Sequence, residues 1–224
     1  MEAGQGGSPN APQAMAELCR TYWYPLYAYV RRRGHSAHDA EDLTQEFFAR
    51  LLEKEYLEGI TREGGKFRSF LLTAVQRFLA NQWERAQAQK RGGGETIVSI
   101  DEAIGESRYQ IEPADNATPE QLFERRWALA LIDQVFRRLQ DEYHGSGKSN
   151  LFDRLQVFLS GDKRLIPYAE VGAGLEMSEG AVKVAVHRLR KRYGELLREE
   201  IAHTVSSPDE VNEELRHLLA ALGR

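Results

Sequence analysis

The chain has 224 residues, 42% hydrophobic and 29% charged, with a formal net charge of −4. That composition fits a soluble globular protein with room for two small cores, and no apolar run approaches the length of a membrane span. The one cysteine, Cys19, excludes an intramolecular disulfide and fits a reducing cytoplasm.

The first thirteen residues, MEAGQGGSPNAPQ, lack the basic and apolar parts of a signal peptide and read as a disordered N-terminus, 1–13. From about Gln13 to Arg33 an aromatic-rich helix is expected, interrupted near Pro25, with Leu18, Tyr22, Leu26 and Tyr29 on its core face. Gly34 ends it. The next helix, DAEDLTQEFFARLLEKEYL, is capped by Ser36 or Asp39, buries Leu43, Phe47, Leu51 and Leu52, and turns Asp42, Gln45, Glu46 and Arg50 outward. A glycine-marked loop follows. The helix KFRSFLLTAVQRFLANQWERAQAQKR then buries Phe67, Phe70, Leu71, Ala74, Val75 and Phe78, leaving Arg77, Asn81, Gln82, Arg85 and Lys90 for solvent or a ligand. The run RGGG at 91–94 stops it, because glycine pays the highest backbone entropy in a helix.

Residues 92–117 show no sustained period and read as a flexible linker. Thr118 and Pro119 open a long helix with Leu122, Trp127, Leu131, Val135 and Leu139 toward a core. A helix from Leu151 to Leu159 leads to PYAEVGAGLEM, a short helix facing Val171 and Leu175 inward, with Met177 plugging the junction to the next. That next stretch, SEGAVKVAVHRLRKRY, has Ser178 as N-cap, Glu179 near the positive end of the helix dipole, and Val182, Val186, Leu189 and Tyr193 as one apolar stripe. Its other faces carry Lys183, His187, Arg188, Arg190, Lys191 and Arg192. A short helix, a tight turn and a capped basic helix make a helix-turn-helix, a DNA-reading unit. After Pro208 an amphipathic helix closes the chain, either packed on the last domain or serving as a regulatory extension.

Charge is laid out in blocks. Residues 39–58 are acidic, 62–91 basic, 101–124 acidic again, and the last helical pair basic, which suggests separate surfaces for separate partners. Other constellations do not hold up. GSGKS at 145–149 lacks the first glycine of a phosphate-binding loop, since Glu142 stands there, and a helix rather than a strand precedes it. His35, His38 and their acidic neighbours match no metal motif, and no nucleophile, base and orienting group come together. No enzyme activity, metal or cofactor is therefore expected. The fold expected is all-α: two small helical domains, 14–91 and 118–205, joined by the linker, with 206–224 as a C-terminal amphipathic tail.

The order of these pieces, DAEDLTQEFF, then an aromatic-basic helix, a linker, and EGAVKVAVHRLRKR, resembles bacterial sigma factors of the sigma-70 family, in the extracytoplasmic-function (ECF) group. The resemblance implies a dissociable subunit that binds core RNA polymerase, recognises promoter DNA and opens it. It assigns Asp39, Glu41, Asp42, Gln45 and Glu46 to polymerase binding. It assigns Arg77, Asn81, Arg85, Lys90 and Arg91, with Trp83 as a stacking ring, to the minus-ten element. Ser178, Glu179, Lys183, Val184, His187, Arg188, Arg190 and Lys191 go to the upstream element. Core polymerase and promoter DNA are the implied partners; an anti-sigma protein is left open. Several positions depart from the family pattern: Phe70 stands where tryptophan is frequent, Arg77 where asparagine is, and Glu176 where the turn often has glycine. The alternative reading is a helix-turn-helix regulator with an N-terminal sensing or partner-binding domain, which leaves DAEDLTQEFF unexplained.

Overall fold

The computed structural model describes residues 11–52, 66–89, 100–110, 117–159 and 166–223, with side chains left aside at 11–17, 52, 85–89 and 100–104. All regular structure among them is helical. The helices are α1 (Ala11–Arg32), α2 (Ala37–Leu52), α3 (Phe67–Gln89), α4 (Ile100–Gln110), α5 (Pro119–Gly145) and α6 (Ser149–Leu155), which runs into a 3-10 turn at Gln156–Phe158. Then come α7 (Tyr168–Leu175), α8 (Glu179–Ala202), a 3-10 turn at Pro208–Glu210 and α9 (Val211–Leu222). The expectations for residues 1–10, the glycine stop at 91–94, Lys90, Arg91 and the linker outside 100–110 and 117 lie outside the described residues.

The chain forms two compact units. One takes residues up to Ala130 together with Thr204 onward; the other is Leu131–His203. The boundary therefore falls inside α5, not in the expected linker, and residues 119–130 and 204–223 belong with the first unit.

In the first unit α1 runs unbroken through Pro25. The missing hydrogen bond and the ring clash at that proline have a cost, offset by what α1 buries: Tyr22, Leu26, Tyr27, Tyr29 and Val30 are all nearly inaccessible. Helix α2 starts on Ser36, whose hydroxyl accepts the Asp39 amide at 3.1 Å. It buries Ala40, Phe47, Phe48 and Leu51. Phe47 meets Phe78 of α3 edge to face at 5.7 Å between centroids. Phe67 and Phe70, expected in the core, are half-buried at its margin, where Phe67 packs edge-on to Tyr22.

Helix α4 lies within the expected linker. Arg31 of α1 donates from Nε and Nη2 to the two oxygens of Glu106, each at 2.9 Å, and the Tyr27 hydroxyl donates to the same carboxylate at 2.8 Å. The Arg31 hydrogen bond chiefly holds the Glu106 carboxyl below the usual carboxylate range. Gly105 makes this approach possible, because a Cβ there would stand 3.2 Å from the Trp23 ring and 3.3 Å from Tyr27. Thr118 and Gln121 cap α5 reciprocally: the Gln121 amide donates to the Thr118 hydroxyl at 3.2 Å and the Thr118 amide to the Gln121 side chain at 2.9 Å. The closing helix α9 belongs to this first unit, with Leu218 and Ala221 buried.

The second unit has its own core of Val135, Leu139, Phe152, Leu155, Phe158, Val171, Val182, Val186, Leu189 and Leu196, with Leu175, Met177 and Tyr193 packed against it. Helix α7 ends at Glu176, which is left-handed (φ 54°, ψ 37°), and the Met177 amide donates back to the Gly172 carbonyl at 2.9 Å. That six-to-one closure is how helices terminate before a sharp turn. Ser178 then caps α8 by accepting the Ala181 amide at 3.2 Å.

Candidate nucleic-acid and partner interfaces

Helix α8 divides its side chains cleanly. Val182, Val186, Leu189 and Leu196 face the core. Lys183, Val184, His187, Arg188 and Lys191 are exposed, Val184 at 51%. An aliphatic side chain left in water amid polar neighbours on the first turns of a capped helix matches the mixed polar and apolar contacts that base edges accept. Two of the predicted contacts have other duties. Ser178 is spent on the cap. Arg190 donates Nε and Nη2 to the Phe158 carbonyl at 3.1 and 2.9 Å, closing the end of α6 onto α8. Lys183 pairs with Glu179 at 2.7 Å, one turn back, and Lys191 lies 3.8 Å from Glu195. Both pairs are solvent-exposed, so either lysine can exchange its partner for a phosphate at little cost. Arg192, by contrast, is bound by Glu142 at 2.7 and 2.8 Å, which pulls that glutamate's pKa down.

On α3, Arg77 and Asn81 are exposed one turn apart. Trp83 is also exposed, at 65%, so it is not a core ring. It stands two residues past Asn81, about 200° round the helix, and therefore on a different face. There it lines a groove of about 870 Å³ with Asp39, Asp42, Leu43 and Leu79. The side chain of Arg85 lies outside the described side chains.

Helix α2 supplies the other wall of that groove. Asp39, Asp42 and Gln45 are exposed. Glu41 is not: only 1% of it is accessible, and its Oε1 accepts from Gln45 at 2.9 Å. It sits on the side of α2 that carries buried Ala40, Thr44 and Phe48, so the exposed neighbour through which it would act is Gln45, which it braces. Glu46 is engaged within the unit by Arg50 on its own helix and by Gln82 of α3.

Residues 18–89, from within α1 to the end of α3, match the family model for Sigma-70 region 2. That stretch lies wholly within unit one. Over 201 residues the chain is 26% identical to the ECF RNA polymerase sigma factor SigE of Mycolicibacterium smegmatis, covering 90% of this chain and 68% of that one. No solved structure matches significantly. The chain is thus similar to sigma-70 region 2 over residues 18–89 and, over most of its length, to an extracytoplasmic-function sigma factor. No helix among the described residues is long and apolar enough to cross a membrane.

Sequence reasoning missed three structural ties: Arg190 to Phe158, Glu106 to Arg31, and the internal engagement of Glu46. Only the second had a signal, the acidic residues at 101–106 and the three arginines at 31–33.

Proposed function

We propose that the protein docks on core RNA polymerase through the face formed by α2 and the second half of α3, and recognises a promoter through two elements. The observation that carries this reading is the segregation on α3: Arg77 and Asn81 on one side, Trp83 on the other, where it shares a groove with Asp39 and Asp42. A groove lined by the carboxylates Asp39, Asp42 and Glu84, by Arg33 and His35 and by an indole suits an amphipathic helix that buries an apolar residue on the ring while its cations meet the carboxylates. In this reading Trp83 belongs to the polymerase face rather than stacking on an unpaired base. Asp39, Asp42 and Gln45 contact the partner, Glu41 positions Gln45, and Glu46 ties α2 to α3.

Arg77 and Asn81, with Arg85, Lys90 and Arg91 beyond them, serve the minus-ten element, where cations hold phosphates while the strands part. The pair α7 and α8 acts as the helix-turn-helix of the upstream element, with Lys183, Val184, His187 and Arg188 toward the bases and Lys191 on the backbone. The left-handed turn at Glu176 and the exposed Val184 support that use.

The test is reconstitution. The purified chain mixed with core polymerase should co-elute with it and direct transcripts from promoter fragments that core enzyme alone ignores. Binding to DNA without any association with core polymerase would sink the reading.

A further inference from the structure

On α8 the stripe opposite buried Val182, Val186 and Leu189 is made of Gly180, Val184, His187 and Lys191, all exposed and within about 60° of arc. Gly180 and Val184 give the fold little. A Cβ on Gly180 would meet no atom within 4 Å, and its backbone is not left-handed. Neither packing nor a turn therefore calls for glycine there, and glycine weakens a helix relative to alanine. Val184, one turn on, is 51% exposed. A β-branched side chain loses rotamer freedom in a helix, and this one gains little burial to offset the loss.

The neighbours leave this spot open. Lys183 is drawn to one flank, where its Nζ lies 2.7 Å from Glu179 and 5.9 Å from the centre of the Tyr168 ring. Arg188 is exposed on the other flank. Between them Gly180 and Val184 form a shallow apolar step, bare backbone followed by a branched hydrocarbon, on the first turns of the helix. Those turns are the part that a helix-turn-helix presents to base edges. The surrounding Lys183, His187, Arg188 and Lys191 suit a polyanion rather than an apolar protein face. In the major groove of DNA the apolar feature that base pairs present is the C5-methyl group of thymine.

We propose that Gly180 and Val184 form a thymine-methyl subsite. Gly180 lets the edge of a base pair come close to the backbone of α8, and the Val184 side chain covers the C5-methyl group. One position of the upstream element is then selected by apolar contact rather than by a hydrogen bond. The proposal rests on the function proposed above, in which α7 and α8 read that element.

The test removes the methyl group alone. A duplex pool randomised over the upstream element is selected with the full chain, by itself and with core polymerase. Each thymidine of the enriched sequence is then replaced in turn by deoxyuridine, which lacks only the C5-methyl. At one position the replacement should weaken binding about fourfold, the worth of one buried methyl group. In Val184→Ser that difference between thymine and uracil should disappear. Gly180→Ala should bind the enriched duplex about fivefold or more weakly, the scale of overpacking a close contact. It should nevertheless unfold at the same or a higher urea concentration than wild type, since alanine is the better helix former. A glycine needed only by the fold would lower stability and binding together, and that result overturns the subsite. So does an enriched sequence in which no uracil matters, a thymine preference that Val184→Ser leaves unchanged, or a Gly180→Ala chain that binds as tightly as wild type. Each of these leaves α8 standing as a DNA reader. Where neither preparation enriches a sequence, the reading of α8 falls and takes the subsite with it.

Discussion

A Cβ on Gly172 would stand 2.6 Å from the carbonyl oxygen of Met177, the residue that leads the turn into α8. Glycine at this point looks like a helix breaker in sequence, and in isolation it weakens α7 by about 1 kcal/mol against alanine. The structure reverses the sign. The atom in the way is backbone and cannot swing aside, and it belongs to the residue whose amide closes the helix on the Gly172 carbonyl. Gly172→Ala should therefore destabilise the second unit by about 1–3 kcal/mol, the usual scale of overpacking, despite its better helix propensity. Urea unfolding followed by the signal of Tyr168 and Tyr193 measures it; a variant as stable as wild type would mean that the turn yields.

Four residues on, the reverse holds. Glu176 is the one non-glycine residue with positive φ among those described, and its side chain is exposed. A left-handed conformation costs an L-residue with a side chain about 1 kcal/mol or more, so Glu176→Gly should raise stability by about 1 kcal/mol. The same denaturation curves report this, and an unchanged midpoint would contradict it.

How far the sequence reached can be judged on these same residues. The stripes that set the cores, Phe47 with Leu51, Val75 with Phe78, Val135 with Leu139 and Val182 with Val186, were legible because each repeats at helical spacing. So was the cap at Ser178. Burial of Glu41 was not, since a carboxylate on an amphipathic helix reads as outward until a neighbouring glutamine is seen to bond it. The docking of α4 and α9 was illegible for a related reason. Arg31 with Glu106 and Arg68 with Glu214 are long-range charge pairs, and sequence spacing carries no information about a partner 75 or 146 residues away. Pro25 misled because its local penalty was weighed without the burial on either side of it. At the candidate sites residue types were readable, but faces were not all assigned: Trp83 was grouped with Asn81 although two residues along a helix turn the side chain by about 200°.

Acid should loosen α4 before the rest. The Glu106 carboxyl is held low by Arg31, with Tyr27 as a further donor. Its folded pKa lies below its unfolded one, so its stabilising contribution is complete above the unfolded value, near 4.3, and fades as pH falls through the folded value. Amide protection in residues 100–110 is expected to drop at acid pH ahead of that in α1. Glu106→Gln should lower protection at neutral pH and remove most of the acid step. A step that survives in the glutamine variant would assign it to another carboxylate.

Trp83 offers a direct check on which face does what. If it belongs with Asp39 and Asp42, Trp83→Ala should weaken binding to core polymerase by about 2 kcal/mol, typical of an aromatic anchor. Opening of a promoter by saturating holoenzyme should change little, as read by permanganate reactivity of thymines. Asn81→Ala should do the opposite, sparing association and closed-complex binding while impairing opening, with rescue on pre-melted templates. Loss of opening with intact core binding in Trp83→Ala would return the ring to the DNA side.

The two arginines Arg188 and Arg190, two residues apart on α8, should separate reading from building. Arg188 is exposed, and no hydrogen bond or ion pair to it is seen among the described residues; Arg190 is bonded twice to the Phe158 carbonyl. Arg188→Ala should leave thermal stability near wild type and cost about 1–3 kcal/mol on the preferred upstream sequence if the side chain reaches a base. If it reaches only a phosphate, the loss should be uniform across sequences and the salt dependence shallower by about one ion. Arg190→Ala should instead lower stability by about 1.5–3 kcal/mol, the range for hydrogen bonds to a charged group. Its DNA affinity should fall only as far as the unit unfolds, so a stabilising Glu176→Gly in the same chain should restore part of both. Arg190→Lys should not rescue, because an ammonium lacks the fork that spans one carbonyl from two nitrogens. An Arg190→Ala protein of full stability with weakened binding to every sequence would show that the arginine leaves Phe158 for a phosphate.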